Sequence, residues 1–259
     1  MFRARLHPPV PVRPELIYQR QRQSPDRLNN SQRRTYDLLR STLISTGRSM
    51  FLVERELTDA LSASRNTVRA VLQQLAREGL VSRGTKNGTR ATGCLLLRID
   101  ELSPIAQMAN EPSMRVEART LECRSLGCPP MVRDRLQLPT GWTVLMIESL
   151  VLQNDAPLGL AVNYIALTEE QADDFTLAEP DVVLFLERNL GVRIGTSSTT
   201  VGAITADDET AELVGIEFGA PLIWLEDLIE DENGQPRALS QLRLRSDRIA
   251  FSANARRVA

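Results

Sequence analysis

Apolar positions along the first ninety residues recur at helical spacing, and strand-like segments take over in the second half. Tyr36, Leu39, Leu43 and Ile44 predict a first helix starting near Ser31. Leu57 and Leu61 predict one face of a short second helix led by Glu54, Arg55 and Glu56, with Ala60 packed beside them. Ser62 and Ala63 make a turn, and Ser64 stands where a helix N-cap belongs, since its hydroxyl can accept from the amides of the next turn. Behind it Val68, Val71, Leu72 and Leu75 form one apolar stripe. Gly79 suits a left-handed helix end, Leu80, Val81 and Arg83 suit a strand, and Gly84, Lys86, Asn87 and Gly88 suit a tight basic turn. Helix, turn, helix and hairpin in that order predict a winged helix-turn-helix.

Alternating segments at residues 144–152 and 158–165 bracket the hairpin signal Gln153-Asn154-Asp155-Ala156-Pro157. Helices are expected at 169–174, at 180–190, and at 208–213 with Asp207 as a cap. Strands are expected at 193–205, 222–229 and 237–249, the last two joined by Asp231-Glu232-Asn233-Gly234. The fold class is therefore α+β: a winged helix-turn-helix followed by a mostly antiparallel sheet with helices. The division expected is a flexible basic arm over 1–30, carrying Pro8, Pro9, Pro11 and Pro14; the winged helix-turn-helix unit over 31–96; a linker over 97–112, broken by Pro104 and Pro112; and a second domain over 113–259.

The polar face of the third helix changes what the first unit can do. Arg65, Asn66, Thr67 and Arg69 point away from its apolar stripe. An arginine can pair bidentately with O6 and N7 of guanine, while Ser, Thr and Asn serve phosphates or base edges. Charge agrees: residues 1–90 hold seventeen basic and seven acidic side chains, net +10, and residues 91–259 hold fourteen and twenty-six, net −12. A polyanion is thus attracted at one end of the chain only.

Glu54-Arg55-Glu56-Leu57, Ser64-Arg65-Asn66-Thr67-Val68-Arg69, Glu78-Gly79-Leu80-Val81 and Gly88-Thr89 together resemble the DNA-binding domain of the GntR family of bacterial repressors. The resemblance implies contacts to double-stranded DNA from Arg55, Ser64, Arg65, Asn66, Thr67 and Arg69, and a wing tip at Lys86, Asn87, Gly88 and Thr89. Two departures stand out. Phe51-Leu52-Val53 replaces the Leu-Pro-Ser usual before the Glu-Arg-Glu run, which suggests a differently capped helix, and Lys86-Asn87 replaces the common Gly-Arg.

Behind this unit, Leu136 to Leu138 with Gly141, the Asn154 to Pro157 turn, Leu190-Gly191-Val192 with Ile194, Ala211 to Leu213 with Gly219-Ala220-Pro221-Leu222, and Arg245-Ser246-Asp247-Arg248 are similar to the UTRA effector domain of the HutC subfamily, over about residues 113–255. That likeness implies a chorismate-lyase-like fold, a homodimer acting on an inverted-repeat operator, and a small-molecule pocket without catalysis. Where relatives that bind sugar phosphates carry two arginines and a glutamate, the matching positions here are Ser149, Val151 and Ala161; the usual acidic and tyrosine positions are Ala238 and Leu244. A phosphate dianion taken from water needs charge-assisted donors, so the expected effector is not a sugar phosphate but a less polar aromatic or acyl compound. Tyr164, Arg243 and Arg245 are further candidates to meet it.

Composition bounds the remaining classes. No apolar run has the length of a membrane span and no apolar signal segment opens the chain, so the expected location is cytoplasmic. Cys94, Cys123 and Cys128 lack zinc-type pairing and read as reduced packing residues, and His7 is the sole histidine. With no catalytic histidine, nucleophile motif or glycine-rich phosphate loop, no enzyme and no cofactor is expected. Two competing readings stay open: a lyase-like enzyme, and an architectural or ligand-insensitive DNA binder with a degenerate pocket.

Overall fold

A computed structural model of the chain describes residues 31–46, 50–84, 88–102, 115–167 and 181–257. Its residues divide into two compact units, Met1–Gly93 and Cys94–Ala259. The expected arm, the expected helix at 169–174, and the wing-turn residues Lys86 and Asn87 lie outside the described residues.

In the first unit, helix α1 (Gln32–Thr46) starts at Ser31, whose hydroxyl accepts from the Arg34 amide, and it buries Leu39 and Leu43. Strand β1 (Phe51–Leu52) leads into α2 (Glu54–Ala60), then α3 (Arg65–Arg77). The departure before α2 has the consequence expected: Val53 occupies the N-cap and offers no side-chain hydrogen bond, leaving Glu54 and Glu56 in the first turn to complement the helix dipole. Leu57 and Leu61 are half-buried, but Ala60 is exposed, contrary to the packing read from the sequence. The α3 stripe is fully inside, with Val68, Val71, Leu72 and Leu75 all at 0% exposure. Gly79, at φ 76°, takes the left-handed position after the helix, and the Leu80 amide returns to the Leu75 carbonyl at 3.0 Å. Strands β2 (Val81–Gly84) and β3 (Gly88–Ala91) form the wing, and β1 adds to β3 to make a sheet of order β1-β3-β2.

The second unit is a six-stranded antiparallel sheet of order β5-β6-β7-β10-β9-β8, built from β5 (Val116–Gly127), β6 (Thr143–Gln153), β7 (Ala156–Ala166), β8 (Ile194–Thr205), β9 (Pro221–Asp231) and β10 (Pro236–Arg245). Asn154 and Asp155 turn the β6–β7 hairpin with φ of 49° and 64°, the left-handed pair that a two-residue turn requires. β6 proves nearly continuous in its burial, because layers cover both faces; Glu148 is one of its few breaks.

On the front face, α5 (Val182–Leu190) covers Ile147, Ile165, Ile229 and Ala238. The other end of that face packs Val151, Leu225, Leu242 and Leu244 beneath a parallel pair of short strands, β4 (Leu95–Arg98) and β11 (Ile249–Ser252). On the back face, α4 (Pro130–Leu136) packs on Val144 and Leu239, and α6 (Asp208–Val214) packs on Leu150, Leu152 and Leu160.

Three expectations change here. The expected linker begins inside β4, so Leu97 and Arg98 belong to the second unit, together with Leu95 and Leu96. The expected last strand at 237–249 ends at Arg245, and Ile249 starts a separate strand after a turn. β5 and α4, absent from the sequence reading, complete the sheet edge and the back layer.

Candidate nucleic-acid interface and effector cavities

The local sequence fixes the presentation of α3. Ser64, in extended conformation, accepts from the Thr67 amide at 3.0 Å, and the two hydroxyls lie 2.8 Å apart. These bonds hold the first helical turn, and one of the two hydroxyl protons stays available to an outside acceptor. Arg65, Asn66 and Arg69 are exposed beyond it, while Thr67 is half-buried. Arg55 is exposed on α2, Gly88 is exposed where the wing strands pair, and Thr89 is half-buried beside it.

Glu54 ties two elements together. Its Oε2 accepts from Arg69 Nε at 2.8 Å and its Oε1 from an Nη of Arg83 at 3.2 Å. Arg83 on β2 was not singled out from the sequence, because its link to α3 runs through a carboxylate 29 residues away. Behind the helix, the Tyr36 hydroxyl donates to Glu78 at 2.6 Å, joining α1 to the end of α3. Burial and this carboxylate push the phenol up to about 12.

In the second unit the eight expected effector residues do not assemble. Val151, Ala238 and Leu244 are core residues at 0 to 2% exposure. Tyr164, Arg243 and Arg245 lie on the back face, because strand alternation turns them away from Ala161, Ala238 and Leu244. There Tyr164 packs with Leu239, Arg243 binds Asp207 and Thr210, and Arg245 makes a two-point pair with Asp247. Only Ser149 and Ala161 border a front-face cavity, shared with Thr120, Asn163, Asp181 and Phe185, and its volume is about 20 Å³.

A larger front-face cavity of about 270 Å³ opens on β8 and β9, bordered by Ile99, Leu102, Ser197, Thr199 and Asp227. Asp227 is 7% exposed. Burial raises the pKa of its carboxyl, opposed by hydroxyl hydrogen bonds from Thr199 and Ser197. The lining is thus more polar than the apolar surface expected from sequence. A sequence signal was available: Glu226-Asp227 interrupts an otherwise apolar strand running from Leu222 to Ile229.

A winged helix-turn-helix followed by a sheet unit with open cavities on one face fits a class, the transcriptional regulator with separate reading and sensing domains. Residues 32–90 match the family described as bacterial regulatory proteins, gntR family, and residues 112–250 match the UTRA domain. The chain belongs to the GntR-family transcriptional regulators that carry a UTRA domain; these are regulators that bind DNA and small effectors, not enzymes. It is 28% identical over 215 residues to the HTH-type transcriptional regulator Rv0792c of Mycobacterium tuberculosis, covering 77% of this chain and 75% of that protein. It is 22% identical over 199 residues to the HTH-type transcriptional repressor NagR of Bacillus subtilis, covering 76% and 82%. The crystal structure of PhnF from Mycobacterium smegmatis shares the fold, with a TM-score of 0.59 at 20% identity over 86% of this chain and 99% of that one. Among the described residues no helix is long and apolar enough to cross a membrane.

Proposed function

We propose that the protein is a ligand-responsive repressor that binds an inverted-repeat operator as a homodimer and is released by a small effector other than a sugar phosphate. The observation that carries the DNA half is the capped N-terminus of α3, which exposes Arg65, Asn66 and Arg69 together. Arg69 is held through Nε by Glu54, so its two terminal nitrogens are free of other hydrogen bonds among the described residues and suit O6 and N7 of one guanine. Arg55, Ser64 and Thr67 then serve backbone phosphates, and Lys86, Asn87, Gly88 and Thr89 serve the wing contact. Two-fold symmetry of a dimer dictates the repeat in the operator.

Support for the effector half comes from charge. No basic side chain borders either front-face cavity among the described residues, so a phosphate dianion would be desolvated there without a charged donor. Release requires the effector to favour the conformation that does not bind DNA.

Fluorescence anisotropy with a fragment of the promoter tests the groove assignment. Arg65→Ala and Arg69→Ala are each expected to lose roughly 1–3 kcal/mol at one base position, and Lys86→Ala to weaken all sequences evenly. Wild-type binding by all three variants would remove the assignment. Stabilisation of the protein by glucose 6-phosphate or glucosamine 6-phosphate in a thermal shift would remove the effector reading.

A further inference from the structure

Strand register lines up Thr199, Asp227, Ser240 and Asn163 on the adjacent strands β8, β9, β10 and β7. This polar row crosses the middle of the front face. On one side lies the row Ile229, Ala238 and Ile165, packed under α5; on the other lies Leu225, Leu242 and Ala161, packed under β4 and β11. A polar row within an apolar layer is costly unless its groups find partners. Ser240 is 3% exposed and Asp227 is 7% exposed. Asp227 Oδ1 takes the hydroxyls of Thr199 and Ser197, yet no described residue gives this carboxylate an ion pair. Its charged neighbours, Asp181 at the N-cap of α5 and Glu226 on its own strand, repel it. At the other end of the row, the Asn163 side-chain carbonyl is buried and accepts no hydrogen bond among the described residues. Both ends therefore want a donor, and the end at Asp227 opens into the cavity of about 270 Å³.

We propose that the effector carries a protonated nitrogen that pairs with Asp227, with apolar surface against Ile99 and Leu102 and further donor groups directed along the row toward Asn163. This inference rests on the reading of the front face as the effector site and adds the ligand's charge to it. A cation entering this cavity meets a carboxylate already desolvated by the fold, so little further desolvation of the protein opposes the ion pair. Asp227 and Asn163 are two strand spacings apart, roughly 10 Å, which is the span of a small metabolite.

Thermal shift and calorimetry on the full chain test this with pairs that exchange an ammonium for a hydroxyl: tyramine against tyrosol, putrescine against 1,4-butanediol, and glucosamine against glucose. At least one cationic member is expected to stabilise the protein where its neutral twin does not, and Asp227→Asn is expected to weaken that binding at least tenfold. Equal stabilisation by the neutral twins overturns the proposed charge while leaving the effector site standing, and so does undiminished amine binding by Asp227→Asn. The absence of a shift from every cationic member also overturns it. A second readout needs no ligand: Asp227→Asn removes an unpaired buried charge, so the melting temperature of the empty protein at pH 7.5 is expected to rise by about 2–4 °C. A fall would make Asp227 a structural partner of the two hydroxyls and overturn the proposal.

Discussion

Glu54 binds Arg69 at 2.8 Å across 15 residues of sequence, joining the start of α2 to the exposed face of α3. The side chains are 31% and 60% exposed, so the pair contributes only about 0–1 kcal/mol to stability. Its effect is orientational: one edge of the guanidinium is fixed and the other faces outward. Glu54→Gln weakens that hold and removes a negative charge beside the proposed DNA face. The expected outcome is unchanged or tighter binding to scrambled DNA with discrimination for operator over scrambled sequence reduced about fivefold, about 1 kcal/mol. Anisotropy on the two duplexes measures this, and preserved discrimination would show that Glu54 does not position Arg69.

The Ser64 cap makes a separate prediction about stability. Ser64→Ala loses the bond to the Thr67 amide and is expected to destabilise the first unit by about 1 kcal/mol, whereas Ser64→Asn keeps an acceptor and loses little. Urea denaturation followed by circular dichroism distinguishes the two; equal midpoints for Ala and wild type would mean that the cap is energetically silent.

Two groups with large shifts contribute to the acid and alkaline limits of stability. Asp207 accepts from the Thr210 amide and hydroxyl and from Arg243, which lower its carboxyl from 3.8 to about 2. Because the folded value lies below the unfolded one, its contribution is present above pH 4 and disappears as pH falls toward 2. Tyr36 is shifted in the other sense, from 10.0 to about 12, so the bond to Glu78 contributes below pH 10 and is lost as pH rises toward 12. Thermal melts of Asp207→Asn and Tyr36→Phe should therefore flatten the acid and alkaline limbs respectively. An acid limb unaltered by Asp207→Asn would remove the first assignment.

Gly195 lies at the irregular start of the β8–β9 pairing, beside the Asp227 cavity. A Cβ there would sit 2.6 Å from the Asp231 carbonyl oxygen and 2.9 Å from the Glu232 Cα, and backbone atoms cannot swing aside. Gly195→Ala is expected to destabilise the second unit by roughly 1–3 kcal/mol, read as a lower melting temperature with operator affinity reduced less than stability. An unchanged melt would mean that the bulge relaxes freely.

The sequence determined the local parts. Helices in both units follow from spacing and, where present, caps that act within one or two turns: Ser64 for α3, Gly79 for its end, Asp207 for α6. The hairpin at Asn154-Asp155 was likewise written in four or five adjacent residues. The outward set Arg65, Asn66 and Arg69 was legible because a helix converts sequence spacing directly into a face.

Tertiary structure alone decided what depends on register between distant strands. Nothing local sets Thr199, Asp227, Ser240 and Asn163 in one row, since they come from four strands whose pairing is fixed by the whole sheet. The same alternation sends Tyr164, Arg243 and Arg245 to the back face, so the eight expected residues do not line one cavity. β4 escaped notice because its partner β11 is about 150 residues away, and a four-residue parallel strand carries no turn signal of its own. Local patterns and the resemblance they carry thus pointed to a regulator with a helix-turn-helix, while the place and polarity of the front-face cavities followed from long-range pairing, where a one-residue shift moves every side chain to the opposite face.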